Sequence, residues 1–155
     1  AMRSCSTRMA IQPRLAGIKH LNRLEQVLAR SEWADPAIHE GLLSDMDGRP
    51  VSATAANLLV RRGDRWLTPP VDRCGIAGIC RAWLLAEGLV EEARLESADI
   101  ERAEALALAS SVRGIAAVRS LDGRALPGVA AVAPLVRALD EAVPAFAAGA
   151  GAARA

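Results

Sequence analysis

The chain has 155 residues, 52% of them hydrophobic and 24% charged, with a formal net charge of +1. That length suits one domain with a real hydrophobic core, and the composition excludes a disordered chain. A charge this near zero, with arginines scattered singly apart from Arg61 and Arg62, gives no strong pull toward nucleic acid or membrane, and no apolar run is long enough to span a bilayer.

In chain order, residues 3–10 read as a strand or extended arm, broken at Gln12-Pro13-Arg14. Asn22-Arg23-Leu24-Glu25 has the spacing of a capping box, which predicts a helix burying Leu24, Val27 and Leu28 and stopping near Asp35-Pro36. Short strands follow at 41–44, 51–54, 58–60 and 66–68, with turns at Asp47-Gly48 and Gly63-Asp64 and an end at Pro69-Pro70. The Gly75-Ile76-Ala77-Gly78 stretch opens a helix reaching about Glu87, with Gly88 as its C-cap. Beyond it come a strand at 89–95, a short helix capped by Ser97, a buried strand at 105–109, a turn at 110–114, a strand at 115–118 and a turn at Asp122-Gly123. A final helix is expected over 129–143, bent or interrupted at Pro134, before an Ala/Gly-rich mobile tail at 147–155. Interleaved strands and helices put the chain in the α/β class, as a strand-rich domain with flanking helices.

Three cysteines, Cys5, Cys74 and Cys80, form no CxxC pair and have no histidine at zinc spacing. With no secretory signal visible, they read as reduced thiols of a cytoplasmic protein. His20 and His39 have no carboxylate, serine or cysteine partner at a readable spacing and are assigned to structure.

Lys19 stands out, because it is the one lysine in a chain whose other 18 basic residues are arginines. An amine can lose its proton when desolvated and condense with a carbonyl, which a guanidinium cannot do. Two further segments could serve a ligand. Gly75-Ile76-Ala77-Gly78-Ile79-Cys80-Arg81 places glycines before a helix start, where free amides suit an anion such as phosphate. Ser110-Ser111-Val112-Arg113-Gly114 offers hydroxyls and amides after a buried strand. Taken singly, each also reads as an ordinary surface residue, tight turn or polar turn.

Together these segments resemble the class IV aminotransferase family, the fold type IV pyridoxal-phosphate enzymes, and most of all its lyase branch. Leu15-Ala16-Gly17-Ile18-Lys19-His20-Leu21-Asn22-Arg23-Leu24-Glu25-Gln26-Val27-Leu28 is similar to that branch's lysine region almost residue for residue. Ala55-Ala56-Asn57-Leu58, Leu67-Thr68-Pro69-Pro70, the phosphate-loop segment from Gly75 and Ser110-Ser111-Val112-Arg113-Gly114-Ile115 follow in the family's order. The resemblance implies that Lys19 is catalytic and joins the aldehyde of pyridoxal 5'-phosphate. It implies that Gly78, Ile79, Cys80, Ser110 and Ser111 hold the cofactor phosphate, with Asn57 and Ser52 beneath the ring. The implied substrate is 4-amino-4-deoxychorismate, split to 4-aminobenzoate and pyruvate on the folate route, and the implied assembly is a homodimer.

Two departures shape that expectation. Ser52 stands where the family carries a glutamate that keeps the pyridine nitrogen protonated, and a hydroxyl cannot hold that proton. The loss weighs more on transamination than on elimination, so Ser52 favours the lyase over a D-amino-acid or branched-chain aminotransferase. Only 18 residues precede Lys19. Residues 1–146 are therefore expected to form the family's C-terminal, cofactor-binding domain, with the smaller N-terminal domain absent and activity impaired. A non-catalytic remnant kept for oligomerisation is the alternative from outside enzymes.

Overall fold

A computed structural model describes residues 1–148. In chain order it runs β1 (Met2–Met9), α1 (Leu24–Arg30), β2 (Glu40–Asp45), β3 (Pro50–Ala53), β4 (Asn57–Arg62) and β5 (Arg65–Thr68). There follow α2 (Ile79–Ala86), β6 (Glu91–Glu92), α3 (Ser97–Glu101), β7 (Leu106–Ser110), β8 (Gly114–Val118), β9 (Ser120–Leu121) and β10 (Arg124–Ala125). A 3-10 helix (Pro127–Val132), α4 (Ala133–Ala142) and α5 (Pro144–Ala148) complete the described chain. The α/β expectation holds. No helix among the described residues is long and apolar enough to cross a membrane.

All ten strands form one mixed sheet in the order β10-β9-β1-β2-β3-β4-β5-β6, with β7 paired to β4 and β8 to β7. β4 is the branch point. Asn57 pairs with Ser52 of β3 and Ala109 of β7, while Val60 pairs with Leu67 of β5 and Leu106 of β7. One edge of β4 therefore takes β3 then β5, and the other takes β7. This explains the unbroken apolar run Leu58-Leu59-Val60: a central strand covered on both faces has no solvent side to alternate toward.

The two faces carry separate cores. Leu42, Ala53, Leu58, Val60, Leu67 and Leu106 pack with Ile100 of α3. On the opposite face Leu59, Ala107, Ala109 and Ile115 pack under Leu84 of α2 and Leu135 and Leu139 of α4. Further along, Met9, Leu43 and Val51 pack with Ala29 of α1 and with Trp33.

Helix α1 differs most from expectation. Its N-cap is Arg23, with no side-chain cap bond, so the capping box does not form. Glu25 instead accepts from the Ala10 amide at 2.8 Å. The β1–β2 register breaks between Ser4 and Arg8, and Glu32 answers that break, its two oxygens accepting from the Ser6 and Thr7 amides at 2.8 Å each. Carboxylates fasten α1 to β1. Leu24, Val27 and Leu28, expected inside, are 63%, 61% and 51% exposed, and Ala29 is the helix's buried residue.

Smaller differences have local causes. The strand expected at 89–95 shrinks to Glu91–Glu92, because β5 offers it a parallel partner only at Leu67 and Thr68. Ser97 lies inside α3, whose cap is Glu96, with the Glu96 amide donating to Asp99 at 2.9 Å. Pro134 does not bend one long helix; it sits in the first turn of α4, where its missing N–H costs nothing. The expected tail overlaps α5 at residues 147 and 148, and the rest of it lies outside the described residues.

Hydrogen bonds set the acid response of the β1 contact. Desolvation raises the Glu32 pKa, but hydrogen bonds from Thr7 and Ser6 outweigh it and hold the carboxyl at about 2, against an ordinary 4.5. A carboxyl that is more acidic when folded stabilises the native state above pH 4.5 and loses that contribution as pH falls from 4.5 toward 2. Urea midpoints measured across that window should fall more steeply for the native chain than for Glu32→Gln. Parallel curves would remove Glu32 as the fastening group.

Candidate functional site

Residues 12–17 run alongside residues 73–77, and backbone hydrogen bonds stitch the two segments together. The Gln12 amide donates to the Arg73 carbonyl at 2.8 Å, Gly17 N to Gly75 O at 3.0 Å, and Ala77 N to Gly17 O at 3.0 Å. Gly17 and Ile76 thus form an isolated parallel bridge. Gly17 (φ +78°) and Gly75 (φ +90°) both take the left-handed backbone that L side chains disfavour, so glycine is needed on both sides of the stitch. Lys19 follows two residues beyond the bridge, with its side chain exposed.

The loop is held down on the sheet. Asn57 is buried, and its Nδ2 donates to the Ile76 carbonyl at 2.8 Å. A Cβ on Gly78 would lie 2.1 Å from Asn57 Oδ1, so only glycine lets the loop approach this closely. Gly78 is the N-cap of α2, extended and without a side-chain cap bond. The first-turn amides of α2, those of Ile79 and Cys80, lack intrahelical acceptors and are suited to an anion.

Facing them is the turn after β7. The Ser110 hydroxyl accepts from the Arg113 amide at 3.0 Å and keeps its own proton to donate, while Ser111 is exposed. Ile79, Cys80, Ser111 and Arg113 line one groove of about 590 Å³, backed by Trp83 and Phe146. The two segments expected to grip phosphate therefore share a groove. Lys19 is on the adjoining segment rather than in its lining. Ser52 is buried beside Asn57, where its hydroxyl contacts Met9 Sδ at 3.8 Å. Burial pushes the thiols of Cys5, Cys74 and Cys80 up to about 11, so near neutral pH all three stay protonated and unsuited to nucleophilic chemistry.

Several polar groups near the site have no signature in the sequence. His20 Nδ1, Arg23 Nη2 and Gln26 Oε1 are buried without a hydrogen-bond partner. Arg23 Nε donates to the His20 carbonyl at 3.3 Å, and burial lowers its pKa. At each end of β2 a buried carboxylate faces an arginine of a candidate segment: Glu40 with Arg113 at 3.5 Å, and Asp45 with Arg73 at 3.1 Å. Both pairings are remote in sequence, so no spacing rule could reveal them.

Comparison with known proteins bears on these features. A family model for amino-transferase class IV matches residues 1–121. Aminodeoxychorismate lyase of Vibrio harveyi is 33% identical over 122 residues, which is 76% of this chain and 45% of that protein. The crystal structure of 4-amino-4-deoxychorismate lyase from Pseudomonas aeruginosa is 40% identical with a TM-score of 0.85, over 92% of this chain and 54% of that one. The branched-chain amino acid aminotransferase of T.th., with pyridoxamine 5'-phosphate, is 19% identical with a TM-score of 0.75, over 94% and 53%, a likeness of fold alone. The chain spans about half the length of the relatives it matches. With the fold type IV architecture and a family match over most of its length, the chain belongs to the amino-transferase class IV family.

Proposed function

We propose that this chain is the cofactor-binding part of a pyridoxal-phosphate-dependent 4-amino-4-deoxychorismate lyase. The observation that carries this reading is the stitch at Gly17 and Ile76. It joins the segment of the chain's one lysine to a glycine loop that ends at an uncapped helix start.

The residues fit the cofactor's anionic handle and its aldehyde. The Ile79 and Cys80 amides, with the hydroxyls of Ser110 and Ser111, would hold the phosphate. Asn57 fixes the loop that presents those amides. Orphaned polar atoms on His20, Arg23 and Gln26 sit close to Lys19 in sequence and have capacity for a bound polar group. The fit fails at one place: Ser52 cannot keep a pyridine nitrogen protonated. When bound, the cofactor supplies an electron-accepting ring. The work left to Lys19 is to bind the aldehyde, yield to the substrate amine and move a proton. With Ser52 in place of an acid, a bound ring would be a weaker electron acceptor, which would favour elimination to 4-aminobenzoate and pyruvate over amino-group transfer. The exposure of Lys19 leaves that proton transfer open to water, and organised turnover requires a cover over it.

A second copy is the cover we propose for α1. Leu21, Leu24, Val27 and Leu28, all more than half exposed, form an apolar surface beside Lys19, of the kind that marks an interface. Sedimentation velocity should show a dimer that Leu24→Asp with Leu28→Asp returns to monomer; a monomeric native chain would contradict the pairing.

Two ligand measurements test the rest. Gly78→Ala should weaken pyridoxal phosphate binding by about tenfold or more, since the new methyl displaces Asn57 and the loop it holds. Equal affinity would exclude this loop as the phosphate site. The absorbance band of lysine-linked cofactor should vanish on adding 4-amino-4-deoxychorismate, with release of pyruvate, and persist with branched-chain or D-amino acids. A band that responds to the amino acids and ignores the chorismate amine would favour the aminotransferase reading.

A further inference from the structure

We propose that the Asp45–Arg73 ion pair is a positioning device for the Lys19 amine, linking the rigid end of β2 to the segment that carries the lysine. Asp45 is the last residue of β2, and its side chain is 4% exposed. Its Oδ1 accepts from the amides of Asp47 at 2.9 Å and Arg49 at 3.0 Å, which fixes the carboxylate in the turn after the strand. Its Oδ2 takes Arg73 Nη1 at 3.1 Å, and Arg73 Nη2 reaches Asp47. Arg73 therefore spans two carboxylates with both guanidinium prongs, a geometry that orders a long side chain better than a single contact does.

The main chain of Arg73 does the rest. Its carbonyl accepts the Gln12 amide, and two residues on begin the Gly17–Gly75 and Ala77–Gly17 bonds. The connection runs from β2 through Asp45 to Arg73, then across three backbone bonds to residues 12–17, and so to Lys19. At the far end of the loop, Asn57 holds Ile76. Fixing both ends sets the span between the amine and the anion-facing amides of α2, and a fixed span raises the effective concentration of an amine toward an aldehyde held by its phosphate. This consequence rests on the cofactor reading above; the mechanical link does not.

Amide hydrogen exchange tests the link without cofactor. Arg73→Ala should speed exchange at Gly17 and Ala77 by about tenfold, while amides of β7 and β8 keep native rates. Arg73→Lys, which keeps the charge but not the two prongs, should recover part of that protection. Arg65→Ala, which removes only an exposed ion pair to Glu91 and shares no partner with Arg73, should change neither amide. Should Arg73→Ala fail to fold, Asp45→Asn removes the same pair and should give the same pattern. Native exchange at Gly17 and Ala77 in the Arg73 or Asp45 variant, or an equal effect from Arg65→Ala, overturns the proposal. With pyridoxal phosphate added, the concentration needed to half-fix Lys19 by borohydride should rise about tenfold in Arg73→Ala and less in Arg73→Lys. No fixation of native Lys19 would sink the functional reading and leave the exchange result to decide the link.

Discussion

Two short backbone segments meet at one parallel bridge, and the candidate site depends on that contact. Gly17 gives its amide to Gly75 and its carbonyl to Ala77. Each bond of this kind is worth only about 1 kcal/mol net, yet among the described residues no other hydrogen bond ties residues 15–22 to the glycine loop before α2. Neither segment belongs to the main sheet. Each borrows its position from the other, and the pair is held to the sheet by Asn57 at one point and Arg73 at another.

The choice of holding groups follows from what surrounds them. The sheet interior is held by ordinary apolar packing on both faces of β4. At its margins, where loops cross and α1 lies over β1, polar side chains take over. Glu32 accepts β1 amides that have no ladder partner, Glu25 accepts the Ala10 amide just past β1, and Glu40 and Asp45 pair with arginines at the two ends of β2. Buried carboxylates such as Glu40 and Asp45 are costly unless every oxygen is answered. Asp45 meets that condition with two amides and a guanidinium. Exposed pairs such as Arg65–Glu91 add little by comparison.

Much of this was legible in the sequence, for identifiable reasons. Lys19 and the glycines before α2 drew attention because a unique amine, or a backbone that must approach closely, restricts residue type, while Asn57 was reached only through the family resemblance. The apolar strands were visible because a buried central strand must be apolar. Helix α1 misled because its Asn-x-x-Glu spacing is a local signal, and the nearby Ala10 amide, set by tertiary structure, claimed the glutamate instead. Its leucines misled because an apolar stripe says that a surface is covered without saying by what. The Asp45–Arg73 and Glu40–Arg113 pairs were invisible, since residues 28 and 73 positions apart carry no periodicity.

Reductive trapping tests the central claim most directly. Lys19 carries the one lysine amine in the sequence. Borohydride reduction with pyridoxal phosphate, followed by peptide mass mapping, should put the adduct on Lys19. Pyridoxal lacking the phosphate should label it far less at the same concentration. Labelling only away from Lys19, or equal labelling of Lys19 by both aldehydes, would contradict a site in which the amine and the anion-holding loop act together.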